Sequence, residues 1–111
     1  MATKGDSKVR RLSLEPYGFV VPGTKEEQPY DVISSVVALL THPGRQLGVE
    51  GILSVGRIVD KVRNANGSVL LEESEYTELL AAVNSFRGYS LGDIELVKRV
   101  QDAPTVNVAE K

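Results

Sequence analysis

GSVLLEESEYTELLAAVNSFRGYSLGDIELVKRVQDAP, running from Gly67 to Pro104, carries the reading of the fold. Asn66-Gly67 at its head is a tight-turn signal, because both residues tolerate positive φ. Ser68 to Leu71 is a brief apolar segment that reads as a strand rung against the N-terminal arm. A helix from Glu72 to Arg87 follows. Glu72, Glu73, Glu75 and Glu78 crowd its first turns, where the helix dipole favours carboxylates. Tyr76, Leu79, Leu80, Val83 and Phe86 recur at helical spacing and form its apolar face. Gly88 closes it in the usual C-terminal position. Ser90-Leu91-Gly92-Asp93 opens another helix as a capping-box variant. Leu91, Ile94, Val97 and Val100 are its expected inner face, Lys98 and Arg99 suit its negative end, and Pro104 stops it.

Two further helices precede this segment. Val49 to Arg63 carries an apolar stripe of Val49, Ile52, Val55 or Gly56, Val59 and Val62. Gly51 and Gly56 each cost about 1 kcal/mol relative to Ala in a helix interior, so tertiary packing must hold this helix. Asn64 to Gly67 ends it. Pro29 to Thr41 forms the first helix, with Pro29 and Asp31 suited to its N-terminus. Tyr30, Ile33, Val37 and Leu40 share one face, which Val36 and Leu39 widen, and His42-Pro43-Gly44 stops the helix. Residues 1–29 are polar and proline-punctuated. Val9 to Leu14 and Phe19 to Val21 read there as short strands around a turn at Glu15-Pro16-Tyr17-Gly18. The expected fold is therefore mainly α: a small four-helix domain at 30–104, a strand-like or extended N-terminal arm at 1–29 and a flexible tail at 105–111.

The bulk numbers narrow the function classes. At 111 residues the chain suffices for one ordinary domain. Aromatics make up only 5%, so the core must be aliphatic. A formal net charge of -2 offers nucleic acid or an anionic membrane no global attraction. With no Cys, disulfides, thiolate catalysis and cysteine-bound metals are excluded. No leader-like apolar segment follows Met1, and no apolar run reaches the roughly 20 residues a spanning helix needs. A cytoplasmic location is expected.

Candidate chemical groups are few. His42, the sole histidine, sits in a helix-ending turn without a metal-ligand set around it. The Glu72 to Glu78 carboxylates lack the alternating ligands and glycine of a calcium loop. Gly48, Gly51 and Gly56 do not match a phosphate loop, because Arg57 and Ile58 follow Gly56 where Lys and Ser or Thr belong. No catalytic residue, cofactor or metal site is expected, and the chain reads as non-enzymatic. Lys8, Arg10 and Arg11 on the arm add a basic cluster. Arg57 and Lys61 share a helix face. With Arg63 and Arg87 they make an alternative site, a small nucleotide or anion module at an oligomer interface. The preferred docking element is the arm itself, with Tyr17, Phe19, Val20 and Val21, because extended segments add a strand to a partner.

Two resemblances add to this reading. Gly88-Tyr89-Ser90-Leu91-Gly92-Asp93-Ile94 resembles a short string in MerR-type helix-turn-helix regulators, though no recognition helix precedes it and no basic wing is evident. The order Asp31-Val32-Ile33, Leu39-Leu40, Asn66-Gly67, Val69-Leu70-Leu71, Glu75-Tyr76 and Ile94-Glu95-Leu96-Val97 resembles the layout of small helical accessory and assembly proteins of tailed bacteriophages. That layout fixes no site residue. It implies a phage-encoded protein without enzymatic chemistry, located in the host cytoplasm or the virion. Such a protein would act in viral assembly or bind a host factor. The expected partner is another protein or a second copy of the chain in a homo-oligomer, with nucleic acid and membranes disfavoured.

Overall fold

A computed structural model describes residues 7–108. Its organising element is β1 (Ser7–Ser13), the middle strand of an antiparallel sheet flanked by β4 (Ser68–Glu72) and β5 (Thr105–Val108). The register sets Arg10 opposite Leu71 and Leu12 opposite Val69. Side chains alternate across a strand, so these four residues share the face that looks into the core. Leu12, Val69 and Leu71 are buried there. Leu70 on the opposite face is exposed. A second ribbon pairs β2 (Tyr17–Val20) with β3 (Glu27–Tyr30).

The helices are α1 (Val32–Leu40), α2 (Val49–Arg63), α3 (Glu73–Ser85) and α4 (Ile94–Gln101). Asp31 caps α1 by accepting from the Ser34 amide. The Glu72 side chain and Glu75 form a reciprocal capping box at the head of α3. Ser90 and Asp93 form the capping box expected from the sequence. Gly88 takes a φ of 111°, which L side chains rarely adopt. One aliphatic core gathers Leu12 and Leu14, Val32, Val36 and Leu40 of α1, Val55, Ile58 and Val62 of α2, Leu79 and Val83 of α3, and Leu96 and Val100 of α4.

The mainly α, four-helix bundle expected from the sequence is corrected. Among the described residues, five strands in two sheets accompany the four α-helices, so the fold is mixed α/β. The N-terminal segment is not a mere arm at its start, since β1 lies between two other strands. The strand expected over Val9 to Leu14 is present as β1, but it pairs with β4 and β5 and not with Phe19 to Val21, of which Phe19 and Val20 pair with β3. Arg10 occupies a core-facing position in β1. There Arg10 lies 4.4 Å over the Tyr76 ring, pairs with Glu73 at 2.9 Å and donates to the Ala103 carbonyl. Ser68 to Leu71 does pair with β1, as its apolar run suggested. Thr105 to Val108, placed in the tail by the sequence reading, forms β5 along the other side of β1. The arm's first six residues and the end of the tail at 109–111 lie outside the described residues.

Helix phases also differ. Pro29 and Tyr30 belong to β3 rather than to the first turn of α1. Residues 91–93 form a short 3-10 turn, which shifts the phase of α4. Leu91 and Ile94, expected on the inner face, are 70% and 48% exposed, while Leu96 and Val100 are buried. The bounds of α2 agree with the sequence reading, but Val49 and Ile52 at its head face outwards.

Candidate functional site

The hairpin residues assigned to docking divide into two groups. Tyr17 donates to the Gly92 carbonyl at 2.7 Å and accepts from the Leu96 amide at 3.2 Å. Its ring stacks on Tyr30 at 4.7 Å, and Arg99 lies 5.0 Å over its face. Burial raises its hydroxyl above the ordinary tyrosine range. Phe19 meets Tyr30 edge-on and packs so closely against Gly92 that a side-chain carbon there would lie 2.9 Å from its ring. Tyr17 and Phe19 therefore hold the hairpin onto the 3-10 turn before α4. Val20 remains exposed and Val21 half-buried.

The basic residues are not gathered into one site. Lys61 is engaged with Glu75 at 2.7 Å. Arg87 lies along a hollow beside α3 with Leu39, His42, Arg45 and Phe86, and donates to the Asn84 and Phe86 carbonyls. Arg57 and Arg63 line a different hollow, between α1 and α2. Among the described residues neither has an ion-pair partner, and Arg57 donates only to the Ser54 hydroxyl. Of the arm's basic residues, Lys8 and Arg11 are exposed while Arg10 is turned onto Tyr76.

A second concavity adjoins Phe86. Tyr30, Leu39, His42, Tyr89 and Asp93 border it. The polar groups there are already engaged. Tyr30 donates to Asp93, and Asp93 also accepts from the Ser90 amide. His42 accepts the Gly44 amide through Nδ1, and its ring meets Phe86 edge-on at 5.3 Å. Burial, reinforced by Asp93, raises the Tyr30 and Tyr89 hydroxyls above their ordinary range. Tyr89 bound to the Val83 carbonyl and Tyr30 bound to the Asp93 carboxylate brace the fold, and among the described residues of this concavity none is set beside a base that would activate it as a nucleophile. Among the described residues, no group of three His, Asp or Glu side chains could hold a metal ion.

The hollow between α1 and α2 has a different character. Val37 of α1 and Thr41 just beyond it form one wall, and Ile52, Leu53, Val55, Gly56 and Val59 of α2 form the other. Its cause lies in the α2 sequence, which carries two apolar series at the same i, i+3, i+4, i+7 spacing. Val55, Ile58, Val59 and Val62 face the core. Val49, Ile52, Leu53 and Gly56 face outwards, and the first three are 75%, 48% and 59% exposed. Beyond its chain neighbours and its own helix backbone, Gly56 has no atom of the described residues within 4 Å of where a side-chain carbon would stand, so no packing among them requires a glycine there. It still carries the cost of about 1 kcal/mol relative to Ala. The single stripe expected for this helix merges the two series and lacks Leu53. The doubled spacing was the signal that could have separated them.

No helix among the described residues is long and apolar enough to cross a membrane. The helical-bundle description is overturned by the sheets, and the phage, viral-assembly and host-factor expectations drawn from the layout resemblance find no support among known proteins. The chain matches no family model, and neither a curated protein nor a solved structure resembles it.

Proposed function

We propose that this protein is a non-enzymatic protein-interaction domain that docks its partner on the outward face of α2. The observation that carries this reading is the second apolar series of that helix. Isolated exposed apolar residues are ordinary, but a contiguous set beside a hollow is the usual mark of an interaction surface. Val49, Ile52 and Leu53 occupy adjacent turns, and Val37 of α1 extends the patch. The charged residues Arg57, Asp60 and Arg63 line the same hollow and supply a polar border.

The hairpin is the weaker docking element, because Tyr17 and Phe19 spend their apolar surface within the chain. Anion binding is also less favoured. Lys61 is neutralised by Glu75, Arg87 lines a separate hollow, and Asp60 stands beside Arg57 and Arg63. A photo-crosslinking side chain placed at Leu53 and, separately, at Val20 tests the choice in the cells that make the protein. Adducts at position 53 are expected. Adducts at position 20 with none at 53 would return docking to the hairpin.

A further inference from the structure

We infer that the occupant of the α2 face is a second copy of this chain, with the two α2 helices packed antiparallel around a two-fold axis near Leu53. This inference rests on the interaction reading above and names its partner. It follows from the self-complementarity of the face. A two-fold interface sets the same patch against itself, so each feature must meet its own complement. Glu50 and Arg57 lie about two helical turns apart and therefore share one flank of α2. Both are exposed, and neither has an ion-pair partner among the described residues. Reversing one helix about the level of Leu53 brings Glu50 of each copy to within about 1.5 Å, one residue's rise, of the level of Arg57 of the other, and the symmetry makes this pair twice.

The same operation treats the apolar residues consistently. Val49, the most exposed of them, comes to within about 1.5 Å of the level of Gly56 of the other copy, on the opposite side of that offset. The space around Gly56 is open, so an incoming valine finds room where a side chain would obstruct it. Ile52 and Leu53 meet their own counterparts at the centre. Parallel pairing would instead put the Glu50–Arg57 flanks of the two copies on opposite sides of the contact, so neither residue would meet its complement. An unrelated partner would supply its own complementary charges and would not require both signs at symmetric positions on one helix.

Sedimentation equilibrium of the full-length chain and its charge variants tests the pairing. The unaltered protein is expected to dimerise. Glu50→Arg and Arg57→Glu should each weaken the dimer by about tenfold or more, because each places like charges together at both ends of the contact. Mixing the two variants should restore dimers. The arginine introduced in one copy then faces the glutamate introduced in the other, and at the opposite end the unaltered Arg57 and Glu50 still meet. Both positions are exposed, so folding of each variant is checked by an unchanged circular dichroism melt. Leu53→Glu should yield a monomer, whereas Leu91→Glu, on an exposed residue elsewhere, should not. A monomeric unaltered chain overturns the self-pairing, and adducts to a different protein at position 53 would then leave the interaction reading standing. A dimer indifferent to Leu53→Glu, or variants that fail to recover on mixing, overturns the antiparallel arrangement.

Discussion

Asp31 shows how much one side chain does at a boundary. The chain turns there from β3 into α1, and the first-turn amides need an acceptor. Asp31 takes the Ser34 amide at 3.0 Å and the Ser34 hydroxyl at 2.9 Å. These bonds, the backbone one foremost, hold its carboxyl below the ordinary aspartate range. A carboxyl with a lowered folded value stabilises the fold above its unfolded value of about 4, and the contribution is lost as pH falls through the folded value. Asp31→Ala should therefore lower Tm at neutral pH and flatten the acid side of the stability profile. Asp31→Asn should recover part of Tm without restoring the acid dependence. Thermal melts from neutral to strongly acid pH decide this. The Ser90–Asp93 box is legible in the sequence because it acts through local spacing, whereas Asp31, expected inside a helix starting at Pro29 as a partner of its dipole, caps a helix that starts one residue later at Val32. Arg10 is not legible in this way. Its inward position depends on Tyr76, Glu73 and Ala103, none of which its own neighbourhood announces.

At the scale of elements, the helices were readable and the sheet was only partly so. A helix is held by contacts a few residues away, and capping residues mark its ends. A strand such as β5 has no local partner, and Thr105-Val106-Asn107-Val108 alternates too briefly to be distinguished from a tail. It becomes a strand because β1 offers Val9 opposite Val106. The outward face of α2 is hidden for another reason: its two apolar series overlap in phase and read together as a single stripe. If β5 contributes to the fold, truncation after Pro104 should lower Tm by roughly 5–10 °C, as expected for losing on the order of 1–2 kcal/mol in a chain of this size. It should also remove hydrogen-exchange protection from the β1 amides that bond to β5 and spare those facing β4. Unchanged protection would show that β5 adds nothing.

Across the whole molecule, tyrosines tie the peripheral pieces to the core. Tyr17 and Tyr30 dock the hairpin against the region before α4, Tyr89 returns the α3–α4 connection to the Val83 carbonyl, and Tyr76 reaches the Val100 carbonyl from α3. Burial raises the Tyr17, Tyr30 and Tyr89 hydroxyls. A hydroxyl with a raised folded value contributes stability below its unfolded value of about 10, and that stability is lost as pH climbs through the folded value. The protein should therefore weaken above about pH 10, with tyrosinate absorbance rising together with release of the hairpin. Tyr30→Phe keeps the ring stack but not the bond to Asp93, and it should reduce the alkaline component while lowering Tm at neutral pH.

The placement of β1 also sets a timetable for folding. Among the described elements it is the first to be synthesised, and its neighbour β5 is the last. While a ribosome is still making the chain, α1, α2 and α3 can close on one another through nearby contacts, but the sheet stays incomplete and one side of β1 stays unpaired. Such long-range pairing is slow to form and exposes a sticky edge in the meantime. The nascent chain thus carries a half-paired strand from the time β1 is made until β5 emerges, and the interval in which chaperones matter most is set by the length of the chain between the two strands.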